Sequence, residues 1–185
     1  MSVAAIVLAA GASRRLGEPK QLVQICGESL LERTVRICRE AGCDPIVVVL
    51  GASAEVIRSH CKLEGAVIVM NDEWAEGMGS SLRAGIYELD SVVDGCVVVT
   101  CDMPAVSPAH LQELIKTGEM TASEYAGRRG VPAYFPSSAF ATLMQLRGDA
   151  GARDLLKTAN AVQLRGGELD VDTAQDLERA RELFG

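Results

Sequence analysis

Short apolar runs alternate with helix-period segments along most of this chain, and that alternation limits the possible folds more than any other feature. Val3–Ala9, Ile46–Leu50, Ala66–Met70 and Cys96–Thr100 lack the polar alternation of half-exposed strands. Such runs are expected where helices cover both faces of a parallel sheet. Helix-period segments separate them at Leu30–Ala41, Ala54–Cys61 and Ser80–Leu89. On the first, Leu31, Val35 and Cys38 form an i, i+4, i+7 stripe, and Gly42 supplies the stop. The βαβαβαβ order predicts a three-layer, mostly parallel α/β fold. A helix over Ser107–Thr117 follows, and then the pattern loosens. Glu124–Phe135, interrupted by Gly127, Gly130 and Pro132, reads as a strand-loop-strand excursion, and an antiparallel pairing is one option. Helices near Ser138–Leu146 and Ala152–Thr158, a strand near Ala161–Leu164 and an amphipathic helix over Thr173–Phe184 close the chain. With 185 residues and no repeat, linker or low-complexity tract, residues 1–185 read as a single domain.

Charge excludes one class of partner. Eighteen Lys and Arg against 25 Asp and Glu leave a net charge of −7, without the basic footprint that a nucleic-acid backbone requires. A phosphate-bearing small molecule remains possible, because a few local cations and backbone amides can hold one. No apolar run approaches the ~18–20 residues that span a bilayer, so no membrane association is expected. Val3–Ala10 lacks a preceding basic stretch and reads as a buried strand rather than a signal peptide. The six cysteines form no C-x-x-C pair, which suits a reduced, cytoplasmic protein.

Open α/β sheets bind ligands beyond the carboxyl ends of their strands, and three loops in such places carry chemistry-bearing residues. The first is Leu8-Ala-Ala-Gly-Ala-Ser-Arg-Arg-Leu-Gly17, followed by Lys20. Its small residues let backbone amides approach an anion, and Arg14, Arg15 and Lys20 gather positive charge there. It matches neither standard Gly-rich phosphate loop; the plainer reading is a tight strand exit with solvated arginines. The second is Thr100-Cys-Asp-Met-Pro104, where Asp102 either holds Mg²⁺ beside substrate phosphates or caps a helix that starts more naturally at Ser107-Pro108. The third is Asp170-Val-Asp172-Thr173. Thr173 with Asp176 resembles a capping box, which leaves the two preceding acids to supply a second metal carboxylate or simply a charged surface. Together the loops suggest metal-assisted phosphoryl or nucleotidyl transfer.

These residues are also similar to a known signature. The first loop with Lys20 resembles the nucleotidyltransferases of the molybdenum-cofactor type, the MobA/MocA-like group, which share a Rossmann-like fold with the sugar-nucleotide pyrophosphorylases. The resemblance continues in order through Asn71–Gly85, Cys101–Pro104, Gly130–Phe135, Gly148–Arg153 and Asp170–Thr173. It implies that Leu8, Ala9, Ala10 and Gly11 approach the nucleotide, that Arg15 and Lys20 hold its phosphates, and that Gly77, Ser80 and Ser81 line the base and ribose side. It further implies Mg²⁺ on Asp102 with Asp172 as second carboxylate, and Asp149 and Arg153 facing the acceptor. Cytidylyltransferases of the group tend to read Leu-Ala-Ala-Gly, whereas guanylyltransferases often carry a second Gly at the place of Ala10, so CTP is the expected donor. Relatives often carry His where Val131 stands, which bears on the acceptor.

The expected reaction joins CMP from CTP to the terminal phosphate of molybdopterin or its molybdenum-loaded form and releases pyrophosphate. A molybdoenzyme or its chaperone would be the onward partner. No general base is required, because a phosphate monoester is already ionised near neutral pH. His60 and His110 are accordingly read as surface or partly packed residues. Cys101 is read as strand-end packing in preference to a molybdenum ligand. Trp74 either stacks on a base or pterin or anchors its loop. The competing readings are a guanylyltransferase, another NTP transferase with a different phosphorylated acceptor, and a non-catalytic nucleotide or cofactor carrier.

Overall fold

The structure, a computed structural model, describes residues 1–89, 92–148 and 151–185. From the N-terminus run β1 (Val3–Ala9), β2 (Gln24–Ile25), β3 (Glu28–Ser29), α1 (Leu30–Glu40), β4 (Ile46–Leu50), α2 (Ala54–His60), β5 (Ala66–Met70), α3 (Met78–Tyr87) and β6 (Gly95–Thr100). Then come α4 (Pro108–Ile115), β7 (Thr121–Tyr125), β8 (Arg128–Pro136), α5 (Phe140–Leu143), α6 (Gly151–Leu156), β9 (Asn160–Gln163) and α7 (Ala174–Phe184).

Every residue of β1 is buried, which explains why its sequence shows no polar alternation. Its side chains divide by turns between two cores. Val3, Ala5, Val7 and Ala9 join Leu31, Val35 and Leu111 on one face, and Ala4, Ile6 and Leu8 join Leu82 and Phe135 on the other. A seven-stranded sheet of order β5-β4-β1-β6-β8-β7-β9 separates these cores. Pairing is parallel for β1 with β4 and β6, for β4 with β5 and for β7 with β9. Only β8 is reversed, against both β6 and β7. This is the mostly parallel, three-layer arrangement expected from the strand pattern, and the Rossmann-like fold that the resemblance implies.

Local signals account for the helix ends. Ser29 and Glu32 form a capping box at the start of α1. Gly42, at φ 89°, ends it in the left-handed conformation that glycine adopts most readily. Ser107 caps α4 with Pro108 in its first turn, so Asp102 is not needed there. Thr173 and Asp176 form the capping box that their spacing suggests.

The structure departs from expectation in four places. The excursion begins earlier than Glu124, at Thr121, and its register jumps so that Ala122 pairs with Ala133 but Ser123 with Gly130. Val131 and Pro132 fall in that jump, so the proline's missing N–H interrupts no ladder bond. The hairpin β2–β3 is an addition; its turn places both Cys26 and Gly27 at positive φ, a geometry that Asn-Gly would have advertised and Cys does not. The helix expected over Ser138–Leu146 is a 3-10 turn at Ser137–Ala139 followed by the four-residue α5, and Leu146 O turns to Arg83 Nη1 at 2.5 Å. His110, read as surface or partly packed, is buried; its Nε2 meets Ser123 Oγ at 2.7 Å, and that hydroxyl donates to Pro132 O.

A third, smaller core joins Val23, Ile25 and Leu30 to Leu169, Val171, Leu177 and Ala180, fastening the C-terminal segment to the hairpin. Among the described residues no helix is long and apolar enough to cross a membrane. All six cysteines are free, and burial pushes the Cys101 thiol up to about 12, the behaviour of a packing residue.

Candidate functional site

The chain leaves β1 between β4 on one side and β6 on the other, the switch point at which open α/β sheets form a crevice. The loop after β1 and the loop after β6 both open there. Ser13, at φ 50°, turns the first loop so that its carbonyl accepts from the Leu16 and Gly17 N–H groups. Its hydroxyl accepts from the Lys20 N–H at 3.0 Å, which fixes Lys20 beside the loop.

From there the Lys20 ammonium reaches Asp102 Oδ2 at 2.5 Å and Asp172 Oδ1 at 3.0 Å. Arg15 Nη2 donates to the other Asp172 oxygen at 2.6 Å. Asp172 arrives through a backbone bond, since the Val171 N–H donates to Asp102 O at 2.8 Å and the third core seats Val171. Burial acts to lower the Lys20 pKa, but the carboxylates of Asp102 and Asp172 outweigh it and hold the ammonium above its ordinary range. Asp170, half-buried beside the same two carboxylates, is pushed up to about 6 by burial and then by their charge.

Two cavities flank this cluster. The first, about 440 Å³, is lined by Leu8, Ala9, Ala10 and Gly11 from the loop, by Lys20, and by Trp74, Gly77 and Ser81 across it. The second, about 660 Å³, is lined by Tyr125, Arg128, Arg129, Arg153, Lys157 and Asp170 among others. Met78, Thr100 and Asp102 line both, so Asp102 stands at their junction.

The predicted residues divide accordingly. Leu8 through Gly11, Gly77, Ser81, Lys20 and Asp102 come together around the first cavity. Arg15 and Asp172 join through the ion-pair cluster. Arg153, exposed on α6, lines the second cavity. Asp149 lies outside the described residues. Ser80 does not line the first cavity: it is buried, donates toward Glu73 O and Gly77 O, and accepts from Asn71, which also donates to Ser81. That network holds the start of α3, so Ser80 serves packing at this position.

Sequence reasoning missed Tyr125, Arg128, Arg129 and Lys157. Arg128 lies over the Tyr125 ring at 5.4 Å; Arg129 donates to Lys157 O at 2.6 Å. The signal available was the pair Arg128-Arg129 at the tip of the Gly-interrupted hairpin.

A divalent metal fits the donor set. Asp102 Oδ1 is buried with no hydrogen-bond partner among the described residues, and Asp102 and Asp172 are hard oxygen donors of the kind Mg²⁺ or Mn²⁺ prefers. Among the described residues no three His, Cys, Asp or Glu side chains form a ready ligand set. When bound, such an ion would neutralise charge on the phosphates in transfer.

Residues 5–164 match the family model of the MobA-like NTP transferase domain. Nicotine blue oxidoreductase of Paenarthrobacter nicotinovorans is 30% identical over 194 residues, covering 98% of this chain and 95% of its own. Purine catabolism protein PucB of Bacillus subtilis is 30% identical over 202 residues, covering 97% and 96%. Among solved structures, Rv0371c of Mycobacterium tuberculosis H37Rv gives a TM-score of 0.85 at 33% identity, over 98% of both chains. Its complex with manganese gives 0.82 at 31% identity, over 99% and 100%. Molybdopterin-guanine dinucleotide biosynthesis protein A of Archaeoglobus fulgidus gives 0.70 at 25% identity, over 99% and 98%.

Proposed function

We propose, from the premise that this chain belongs to the MobA-like NTP transferase family, that it moves CMP from CTP to the terminal phosphate of molybdopterin or its molybdenum-loaded form, with release of pyrophosphate. The observation that carries the transfer chemistry is Asp102 at the junction of two cavities, bound to Lys20 and presenting a second oxygen without a partner among the described residues. A group at such a junction is placed to act on the bond made between two substrates.

In this reading the first cavity takes the nucleoside triphosphate. The small residues Ala9 to Gly11 let its phosphates approach, and Lys20 and Arg15 exchange their carboxylate partners for the triphosphate. Asp102 and Asp172, thereby released, are the residues that would hold Mg²⁺. An acceptor phosphate oxygen attacks the α-phosphorus in line, and pyrophosphate departs with its charge met by Lys20 and Arg15. The phosphate nucleophile is already ionised, so no side chain needs to take a proton. The second cavity takes the acceptor. Its four cations, Arg128, Arg129, Arg153 and Lys157, suit a phosphorylated molecule, and at about 660 Å³ it accommodates a group larger than a simple sugar phosphate. Residues 1–185 act as one domain in this scheme.

Ala10 supports CTP over GTP, since the guanylyltransferases of the group often have Gly there. Val131, which lines the acceptor cavity, supports an acceptor contact different from that of relatives with His. The relative named for a dinucleotide of guanine makes GTP the reading to test against. The experiment is calorimetry of CTP and GTP with Mg²⁺, on wild type and Asp102→Asn, followed by pyrophosphate release with molybdopterin. Tighter CTP binding and CTP-dependent release support the proposal. A GTP preference replaces the donor, and binding without turnover favours a carrier.

A further inference from the structure

Gln21 is fully buried at the foot of the loop after β1, in the 3-10 turn Lys20–Leu22. Its Nε2 donates to two loop carbonyls, Ala9 O at 2.7 Å and Gly11 O at 3.1 Å. Two carbonyl acceptors fix which way round the amide lies, because its oxygen in that place would face two oxygens. The carbonyl between them, Ala10 O, accepts from the Ala52 N–H at 3.0 Å. Three consecutive carbonyls are therefore committed to the protein. The N–H groups of Gly11, Ala12 and Arg14, by contrast, find no acceptor among the described residues, and these residues line the first cavity. A loop that withholds its carbonyls and leaves its N–H groups free suits an anion.

We propose that Gln21 sets this polarity and is a positioning residue for the triphosphate, an inference that rests on the nucleotidyl-transfer reading. Gln21 borders the first cavity but has no exposed surface, so it acts through the backbone it holds. A second feature agrees. Gln21 Oε1 is buried without a partner among the described residues, an unfavourable state that an apolar side chain of the same size would avoid. The amide is retained for its two donated bonds.

The test uses the full chain as wild type, Q21L and Q21E, with Mg²⁺ and either CTP, GTP or inorganic tripolyphosphate in a calorimeter. Q21L keeps most of the volume and donates nothing. Its affinity for each phosphate probe is expected to fall roughly tenfold or more, the scale of two lost net hydrogen bonds. Q21E falls further, because a carboxylate would face two carbonyls and put negative charge behind the loop. With molybdopterin as acceptor, the KM for the triphosphate rises while kcat and the acceptor KM hold. Amide NMR of free Q21L shows the Gly11–Arg14 resonances displaced and the sheet unmoved. If Q21L does not fold, Q21N, one methylene too short to reach both carbonyls, serves in its place. Wild-type triphosphate affinity in the variants overturns the positioning role and leaves the transfer reading standing. A wild type that binds none of the three probes overturns both.

Discussion

Replacing Lys20 with Met removes the ammonium and keeps the apolar stem. The Lys20 and Asp102 side chains are only 17% and 15% exposed, so Asp102 is left as a poorly solvated charge beside Asp170 and Asp172. Breaking a fully buried ion pair from one side costs about 3–5 kcal/mol. Asp172 is 32% exposed and keeps Arg15, so water and that arginine reduce the penalty to about 2–3 kcal/mol. For a chain of this size each kcal/mol shifts Tm by about 2–4 °C, giving a fall of about 5–10 °C. The sign with pH follows from the ionised groups. The Lys20 pKa is raised on folding, so its contribution is fully present below the ordinary lysine value and is lost only at strongly alkaline pH. Toward acid the penalty shrinks as the carboxylates take up protons, Asp170 first, from its value of about 6. The Tm gap between wild type and Lys20→Met is therefore wider at pH 8 than at pH 4.5. A divalent cation can occupy the place of the ammonium, so Mn²⁺ raises the midpoint of the variant more than that of wild type. Differential scanning calorimetry with and without Mn²⁺ at the two pH values checks all three statements. Equal midpoints, or an equal response to Mn²⁺, would refute the account of Lys20 as counter-ion to a metal-binding pair.

Asp102→Asn is expected to lower pyrophosphate release by about 100-fold or more, the scale of losing a charge at the transfer site, with near-wild-type circular dichroism; unchanged release contradicts the metal assignment. Asp170→Asn removes a carboxyl whose pKa is raised from 3.8 to about 6. Because the neutral form is favoured in the fold, wild type loses stability as pH rises across that window, and the variant gains about 1 kcal/mol above pH 6 after discounting for partial exposure. Metal-free urea unfolding at pH 7.5 and pH 4 reads the difference, and an equal gain at both values counts against it. Gly51→Ala would set a Cβ 2.6 Å from Trp74 Cβ and 2.9 Å from Ala10 Cβ, an overpacking penalty of about 1–3 kcal/mol. Since Trp74 is the sole tryptophan, its displacement appears as a shift in the emission maximum, and an unmoved spectrum with unchanged stability would show that the contact relaxes freely.

Much of the sheet was readable because burial on both faces leaves a local mark: β1, β4 and β6 are short apolar runs wherever they are read, whereas the edge strand β5 is equally apolar in sequence but half-exposed. The antiparallel hairpin was blurred because Gly130 and Pro132 belong to a register jump that only the partner strand defines. The β2–β3 turn was hidden because Cys26 occupies a left-handed position without the usual residue. At the site, the loop cations and Asp102 were legible as polar residues at strand exits. Ser80 was expected to line the base and ribose side, but a hydroxyl in a motif does not reveal whether it faces a cavity or, as here, bonds Asn71.

By itself the sequence determined the alternation of the parallel strands β1, β4, β5 and β6 with their helices and the loop that concentrates Arg14, Arg15 and Lys20, since periodicity and local charge are properties of neighbouring residues. The tertiary structure decided which distant groups meet. Lys20 and Asp172, separated by 152 positions, share a contact because Val171 is bonded to Asp102 O and seated in the third core. The cations of the second cavity gather from the hairpin and α6, and the role of Gln21 exists only through the two carbonyls it holds. Contacts of that kind depend on how the sheet closes its loops over one crevice, which no local pattern encodes.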